Sequence, residues 1–319
     1  MKILILQNRM GIGDMIMFLP FIEAISKKFK TPVTILAKKN TKVEMYFNNK
    51  EIVEEIMYLE REDNKKHSGV KGFFKLVNEL KLKKFDKVFI FNSSLRYFLI
   101  SKFSGIKEVF HYPLFKKKNQ QIIEAAAKEF TLKSIGEDIE STPRLFLKEQ
   151  DILKAKKDHS IDQSITNIIL GIGGSGKTKR VPASIFKSFM SKVLKRSNCR
   201  FFLMTGNNID ELKIMDEIIE SEYKEYCTPL NNFTIKEILP IIPNCQIAIC
   251  NDSSFSHLSA GLGIKTIVLM VDTPLIYGSY NKNMYPILPE GEANVTHDTL
   301  GKDKINPEEI YNNFKKLLG

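Results

Sequence analysis

The sequence predicts an α/β protein built from two doubly wound parallel-sheet domains. Three observations predict it. Short apolar runs alternate with stretches of helical periodicity, the signature of a parallel sheet covered on both faces. That alternation breaks once, between about Lys148 and Thr166, where the chain is polar, lysine-rich and poor in large apolar residues. At 319 residues and 43% hydrophobic content, the chain can fill two cores of ordinary size. These observations place one domain at 1–155 and a second at 156–319, with a cleft between them.

The elements follow in order. Residues 2–7 are a short apolar run that fits a buried strand, and Gly11 and Gly13 punctuate the turn after it. From Asp14 to Phe29, the residues Ile16, Leu19, Ile22, Ile25 and Phe29 recur at helical spacing. Pro20 sits inside that pattern, predicting either a kinked first turn or a helix that properly starts there. Strands are expected at Val33–Ala37, Ile56–Leu59 and Lys87–Phe91, and helices at Gly72–Leu82 and Leu95–Phe103. After the junction, strands are expected at 167–172, 200–205, 246–250 and 265–270. Helices are expected at 184–196, 209–221 and 254–262, and a last one over Pro307–Leu318.

Composition narrows the function classes. The 48 basic and 37 acidic residues give a net charge of +11, which favours an anionic partner. Nucleic acid, an acidic membrane surface and a phosphorylated small molecule all qualify. The run Lys116-Lys117-Lys118 reads as solvated surface. No motif interleaves basic and aromatic residues, so no nucleic-acid partner is expected. No run of eighteen apolar residues occurs, and the apolar start KILIL is too short for a secretory signal. The four cysteines, Cys199, Cys227, Cys245 and Cys250, form neither a CxxC pair nor a zinc spacing. Reduced thiols and a cytoplasmic location are the expectation.

Three strand-end loops carry chemistry. The first, GIGGSGKT at 171–178, satisfies the phosphate-loop pattern G-x-x-x-x-G-K-[ST] at every fixed position. A phosphate loop requires a helix that starts at its Lys and Ser/Thr. Pro182 comes four residues after Thr178, where it would cost about 3 kcal/mol in a helix interior, and it also disfavours helical geometry at Val181. A phosphate-loop ATPase or kinase is therefore the disfavoured reading, although backbone N–H groups of such a loop still suit a diphosphate. The second loop, RMGIGD at 9–14, lacks the third glycine of a dinucleotide fingerprint, and no acid follows the second strand to hold a ribose. Asp14 reads either as a helix N-cap or as a functional carboxylate at a ligand-binding strand edge. The third loop, NDSSFSHLSAGLG at 251–263, runs from a strand into a helix. Ser253, Ser254 and the first free N–H groups there would form an anion pocket. Asp252 as a cap and His257 as a packed helix residue are the structural alternatives.

Taken in order, these marks resemble glycosyltransferase family 9, the heptosyltransferases of lipopolysaccharide synthesis. The marks are Gly13-Asp14 with Leu19-Pro20, FDKVFIFNSSLRYFLISKFSG at 85–105, Lys179-Arg180-Val181-Pro182 after the glycine loop, and Asp252-Ser253-Ser254 through His257-Leu258 to Gly263. Three positions depart from the family pattern. Val181 stands for a Trp, Ser254 for a Gly, and Met270-Val271-Asp272-Thr273-Pro274 for Phe-Gly-Pro-Thr. The resemblance implies the GT-B fold, two Rossmann-like domains facing each other, and inverting transfer from a nucleotide sugar. The implied donor is ADP-heptose. The implied acceptor is an anionic lipopolysaccharide core, met at the cytoplasmic face of the inner membrane by a peripheral protein.

The chemistry distributes over named residues. Asp14 is the expected base for the acceptor hydroxyl, and Lys179 is expected to stabilise the leaving diphosphate. Gly174, Ser175, Lys177, Asp252, Ser253, Ser254 and His257 are expected around the donor, with Asp210 or Glu211 on its ribose. Gly13, Ser94 and Arg96 are the acceptor-side candidates. The chain has no D-x-D, so neither metal nor other cofactor is expected. A non-catalytic nucleotide-sugar binder with the same fold remains the second rival.

Overall fold

The computed structural model describes residues 1–47, 49–114 and 123–319; the run Lys116–Lys118 lies outside the described residues. These residues divide into two compact units, Met1–Pro143 and Arg144–Gly319.

The first unit holds five parallel strands, β1 (Ile3–Leu6), β2 (Val33–Ala37), β3 (Val53–Tyr58), β4 (Lys87–Ile90) and β5 (Glu108–His111), in the order β3-β2-β1-β4-β5. Its helices are α1 (Ile12–Phe29), α2 (Gly69–Lys83), α3 (Leu95–Phe103) and α4 (Ile123–Ile135). Helix α1 begins at Ile12 and runs unbroken through Pro20, rather than starting there. The balance of energies explains it. Proline costs about 3 kcal/mol in a helix interior, whereas each large apolar side chain fully buried contributes about 1.5–3 kcal/mol. Ile16, Met17, Phe18, Leu19, Phe21, Ile22 and Ile25 are all buried, so packing outweighs the proline.

The second unit begins with α5 (Glu149–Asp158), inside the lysine-rich segment read as the junction. The boundary expected at 155/156 therefore falls within a helix. That helix is held in this unit by Asn244, whose Nδ2 donates to the Ile152 carbonyl at 3.1 Å. Six parallel strands follow: β6 (Thr166–Gly171), β7 (Cys199–Met204), β8 (Cys227–Pro229), β9 (Ile247–Asn251), β10 (Lys265–Leu269) and β11 (Met284–Ile287). Their order is β11-β10-β9-β6-β7-β8. Helices α6 (Ala183–Leu194), α7 (Ile209–Ile219), α8 (Ile235–Ile238), α9 (Ser254–Gly261) and α10 (Pro307–Leu318) complete it. The core joins Phe186, Phe189 and Phe314 of two helices to Ile168, Leu170, Phe201 and Ile249 of the sheet.

Both sheets reverse their strand order beside the first strand, between β1 and β4 and between β9 and β6. Ligands of open α/β sheets bind outside the carboxyl ends of the strands at such switch points. The three loops singled out in the sequence leave β1, β6 and β9, the strands that border them.

Candidate functional site

In the first unit, the switch point is lined by the segment after β1. Asn8 and Asn92 join across it, Asn92 Nδ2 donating to Asn8 Oδ1 at 2.8 Å. Gly11 takes φ 95° as the N-terminal flanking residue of α1, a positive-φ backbone that glycine adopts without a Cβ penalty. Gly13 and Asp14 therefore sit in the first turn of α1. Asp14 is not the cap, and no side chain caps this helix. Arg9 Nε instead donates to its Oδ1 at 3.1 Å, leaving the carboxylate about one-sixth exposed, at 17%.

Ser94 is the N-cap residue of α3, its N–H bonded to Asn92 Oδ1. Arg96 donates through Nη2 to the carbonyls of His67 (3.0 Å) and Gly69 (2.9 Å), and its guanidinium lies over the Phe73 ring. Burial, then the nearby Arg61 charge, holds the Arg96 pKa below the ordinary arginine range.

In the second unit, the glycine loop after β6 does not lead into a helix. Lys177–Lys179 form one tight turn, Arg180 is extended, and Pro182 flanks α6, which starts only at Ala183. Thr178 thus lacks the helical position that a triphosphate loop gives its hydroxyl. Gly174 is buried, Ser175 is exposed, and Lys177 is 84% exposed, reaching Asp210 at 3.4 Å. Lys179 turns the other way, and its Nζ lies 3.0 Å from Oδ2 of the buried Asp252. The other oxygen of Asp252 is 3.9 Å from His257 Nε2, and His257 Nδ1 meets the Tyr280 hydroxyl at 2.7 Å. The His257 and Tyr280 rings also stack. Lys179, Asp252, His257 and Tyr280 thus form one polar chain linking three loops.

Ser253 is the N-cap residue of α9, and Ser254 is its first helical residue. The Ser253 hydroxyl is buried without a partner among the described residues, as are those of Thr205 and Thr273, which follow β7 and β10. Each orphaned buried hydroxyl costs about 1–3 kcal/mol, and all three lie just past the carboxyl ends of strands.

The two acids of α7 separate by environment. Glu211 is buried; its Oε1 accepts from Gly174 N at 2.9 Å and its Oε2 from Gly206 N at 2.7 Å. It ties the loop after β6 to the loop after β7. Asp210 is partly exposed and faces Lys177 and Arg180.

Three residues of this site carry no candidate role from the sequence. Asn251 closes an apolar strand, and its Nδ2 holds the Ile172 carbonyl at 2.8 Å. Arg180, buried, donates from Nε to the Gly174 carbonyl at 2.8 Å. A buried polar residue ending an apolar run was the available signal for Asn251. Tyr280 had none, because only tertiary folding brings it to His257.

Comparison with known proteins adds a name. The family model of glycosyltransferase family 9 (heptosyltransferase) matches residues 111–299, more than half of the chain. Lipopolysaccharide heptosyltransferase 1 of Campylobacter coli is 24% identical over 163 residues, 48% of this chain and 47% of that protein. The match thus spans about half the length of this curated relative. Among solved structures, E. coli ADP-heptose LPS heptosyltransferase II covers 100% of this chain and 98% of its own, at 18% identity and a TM-score of 0.74. A glycosyltransferase family 9 protein from Veillonella parvula covers 99% and 97%, at 16% identity and a TM-score of 0.75. The likeness extends over both parallel-sheet units, and the fold is GT-B. The chain belongs to glycosyltransferase family 9, the heptosyltransferase family.

Proposed function

We propose that the protein is an inverting, metal-independent glycosyltransferase that moves a heptose from ADP-heptose onto an anionic lipopolysaccharide core. The observation that carries the reading is the Lys179–Asp252–Ser253 constellation at the switch point of the second sheet, in a chain of this family. The similarity to an ADP-heptose-using enzyme supports the donor.

In this reading the donor diphosphate meets Lys179, the Ser253 hydroxyl and the N-terminal N–H groups of α9. The positive end of that helix favours the charge that grows as the leaving group departs. Fixed cationic and dipolar groups of this kind supply the stabilisation that a metal supplies elsewhere. Asp210 is the acid offered to the ribose, because both Glu211 oxygens already accept backbone N–H groups. Asp14 takes the proton of the acceptor hydroxyl as that oxygen attacks the anomeric carbon, and inversion needs only this one base. The acceptor is membrane-borne, which makes the protein peripheral at the cytoplasmic face. No helix among the described residues is long and apolar enough to cross a membrane.

A thermal-shift panel of ADP, GDP, UDP and their sugars tests the donor, followed by transfer assays with a lipopolysaccharide core acceptor. ADP-selective stabilisation and a heptosylated product are expected. UDP selectivity would displace heptose as the sugar, and nucleotide binding without product from any acceptor would make the protein a binder only.

A further inference from the structure

The first unit carries an exposed surface that neither sheet nor site uses. Along α2, Val70, Lys71, Phe74, Lys75, Asn78, Lys81 and Leu82 are all exposed. At about 100° per residue they fall within an arc of about 140°. Val70 is 74% exposed, Phe74 57% and, at the end of α3, Phe103 61%. The aromatic strip is continuous: the Phe73 ring lies 5.2 Å from that of Phe74 and 6.0 Å from that of Phe103. Around it stand cations. They are the exposed Lys71, Lys75, Lys81 and Lys102, for Lys83 is paired with Glu55 and Arg96 is held by backbone carbonyls; helices α2 and α3 contain one acid, Glu79. That acid lies off the exposed arc, engaged by Lys66 and His67.

We propose that this face of α2, with the Phe103 end of α3, docks on an anionic lipid bilayer. Two large aromatic side chains held in water next to aliphatic Val70 and Leu82 are an unfavourable surface unless something covers them. A second copy fits poorly, because self-pairing sets lysines against lysines. A bilayer interface fits both components. Aromatic and aliphatic side chains enter the headgroup boundary, while lysine stems lie along it with their ammonium groups on lipid phosphates. The proposal rests on the membrane-borne acceptor only for its purpose; the surface itself is defined without it.

The test is co-sedimentation of the full chain with vesicles of phosphatidylcholine alone or with added phosphatidylglycerol, in the absence of any substrate. Binding is expected only to the anionic vesicles and is expected to weaken with salt. The double variant Phe74→Ser/Phe103→Ser should bind about tenfold or more weakly, and Lys71→Gln and Lys75→Gln about fivefold each. The lysine variants should leave the melting temperature unchanged, and the phenylalanine double variant should lower it only slightly, through the lost ring contacts to Phe73. Removing two charges at once from the other unit, in Lys187→Gln/Lys195→Gln, should alter binding by less than about twofold.

Absence of vesicle binding by the unaltered protein would overturn the proposal. So would equal losses in the α6 control, or a preference for an RNA oligomer or for self-association over vesicles. Nucleotide binding measured on the same variants separates the two readings: vesicle docking without ADP binding sinks the ADP-heptose donor alone, and ADP binding without docking sinks this surface alone.

Discussion

Lys179 Nζ lies 3.0 Å from Asp252 Oδ2, an ion pair that joins the loop after β6 to the loop after β9 across the switch point of the second sheet. Asp252 is buried and Lys179 is 22% exposed, so the lysine keeps one side open to a ligand. A diphosphate bound as proposed would compete for this ammonium with the buried Asp252 carboxylate. Lys177, two residues earlier and inside the phosphate-loop pattern, is 84% exposed and pairs with Asp210 at 3.4 Å.

The contrast gives the first prediction. A charge-assisted hydrogen bond contributes about 1.5–3 kcal/mol, so Lys179→Ala should weaken ADP binding about 10- to 150-fold by calorimetry. Exposed ion pairs contribute about 0–1 kcal/mol, so Lys177→Ala should change it by less than about fivefold. The reverse ranking would restore the triphosphate-loop reading.

Asp14 supplies a prediction of a different kind, since its unit is not the one that carries the nucleotide constellation. Asp14→Asn keeps the shape and removes the carboxylate proposed as the base. We expect transfer to fall by about 10²- to 10⁴-fold, with ADP affinity unchanged. The partly exposed Arg9 pair contributes at most about 1 kcal/mol, so lost stability cannot account for such a fall. Full turnover in this variant would remove Asp14 from the chemistry.

The sequence was most legible where local patterns decide structure. Strand Val33–Ala37 and helix Leu95–Phe103 have the expected limits, because apolar runs and helical spacing are read within a few residues. Pro182 was legible too, since one proline reports the local backbone directly. Strands β5, β8 and β11 were not seen; EVFH, CTP and MYPI are too short or too polar to stand out, and register with a neighbour strand makes them. The site shows the same limit. Loop residues after β1, β6 and β9 announced themselves, whereas Tyr280 and the double role of Glu211 depend on contacts between distant segments.

The cysteines give a third prediction. Burial pushes the Cys199 thiol up to about 11 and that of Cys250 up to about 12; Cys227, also with a pKa raised to about 12, is shifted chiefly by burial against the opposing Arg200 charge. All four are free and buried. Only the thiolate reacts, so a disulfide reagent at pH 8 should modify none of them in the folded protein. All four should react together once denaturant unfolds the second unit. Rapid labelling of any one in native buffer would contradict the packing described.

The last prediction concerns Glu211 and Gly206. Glu211 accepts from Gly174 N and Gly206 N and so clamps two site loops together. Glu211→Ala leaves the buried Gly174 N–H and the partly buried Gly206 N–H without that acceptor and deprives Arg180 of a carboxylate at 3.6 Å, so it should cost about 2–4 kcal/mol in urea unfolding. A Cβ on Gly206 would come within 2.4 Å of Glu211 Oε2, and its other near atoms also belong to Glu211. Gly206→Ala alone should therefore cost about 1–3 kcal/mol through the clash and the displaced clamp. In the Glu211→Ala background nothing remains for that methyl to strike, so adding Gly206→Ala should cost close to nothing. The coupling read from this double-mutant cycle equals the whole single-variant effect of Gly206→Ala. Additive costs would mean that Gly206 is required for its backbone conformation and not for the carboxylate beside it. Asp210→Asn, by contrast, should leave stability within about 0.5 kcal/mol while weakening ADP binding, which would separate the acid that holds the loops from the acid proposed for the ribose.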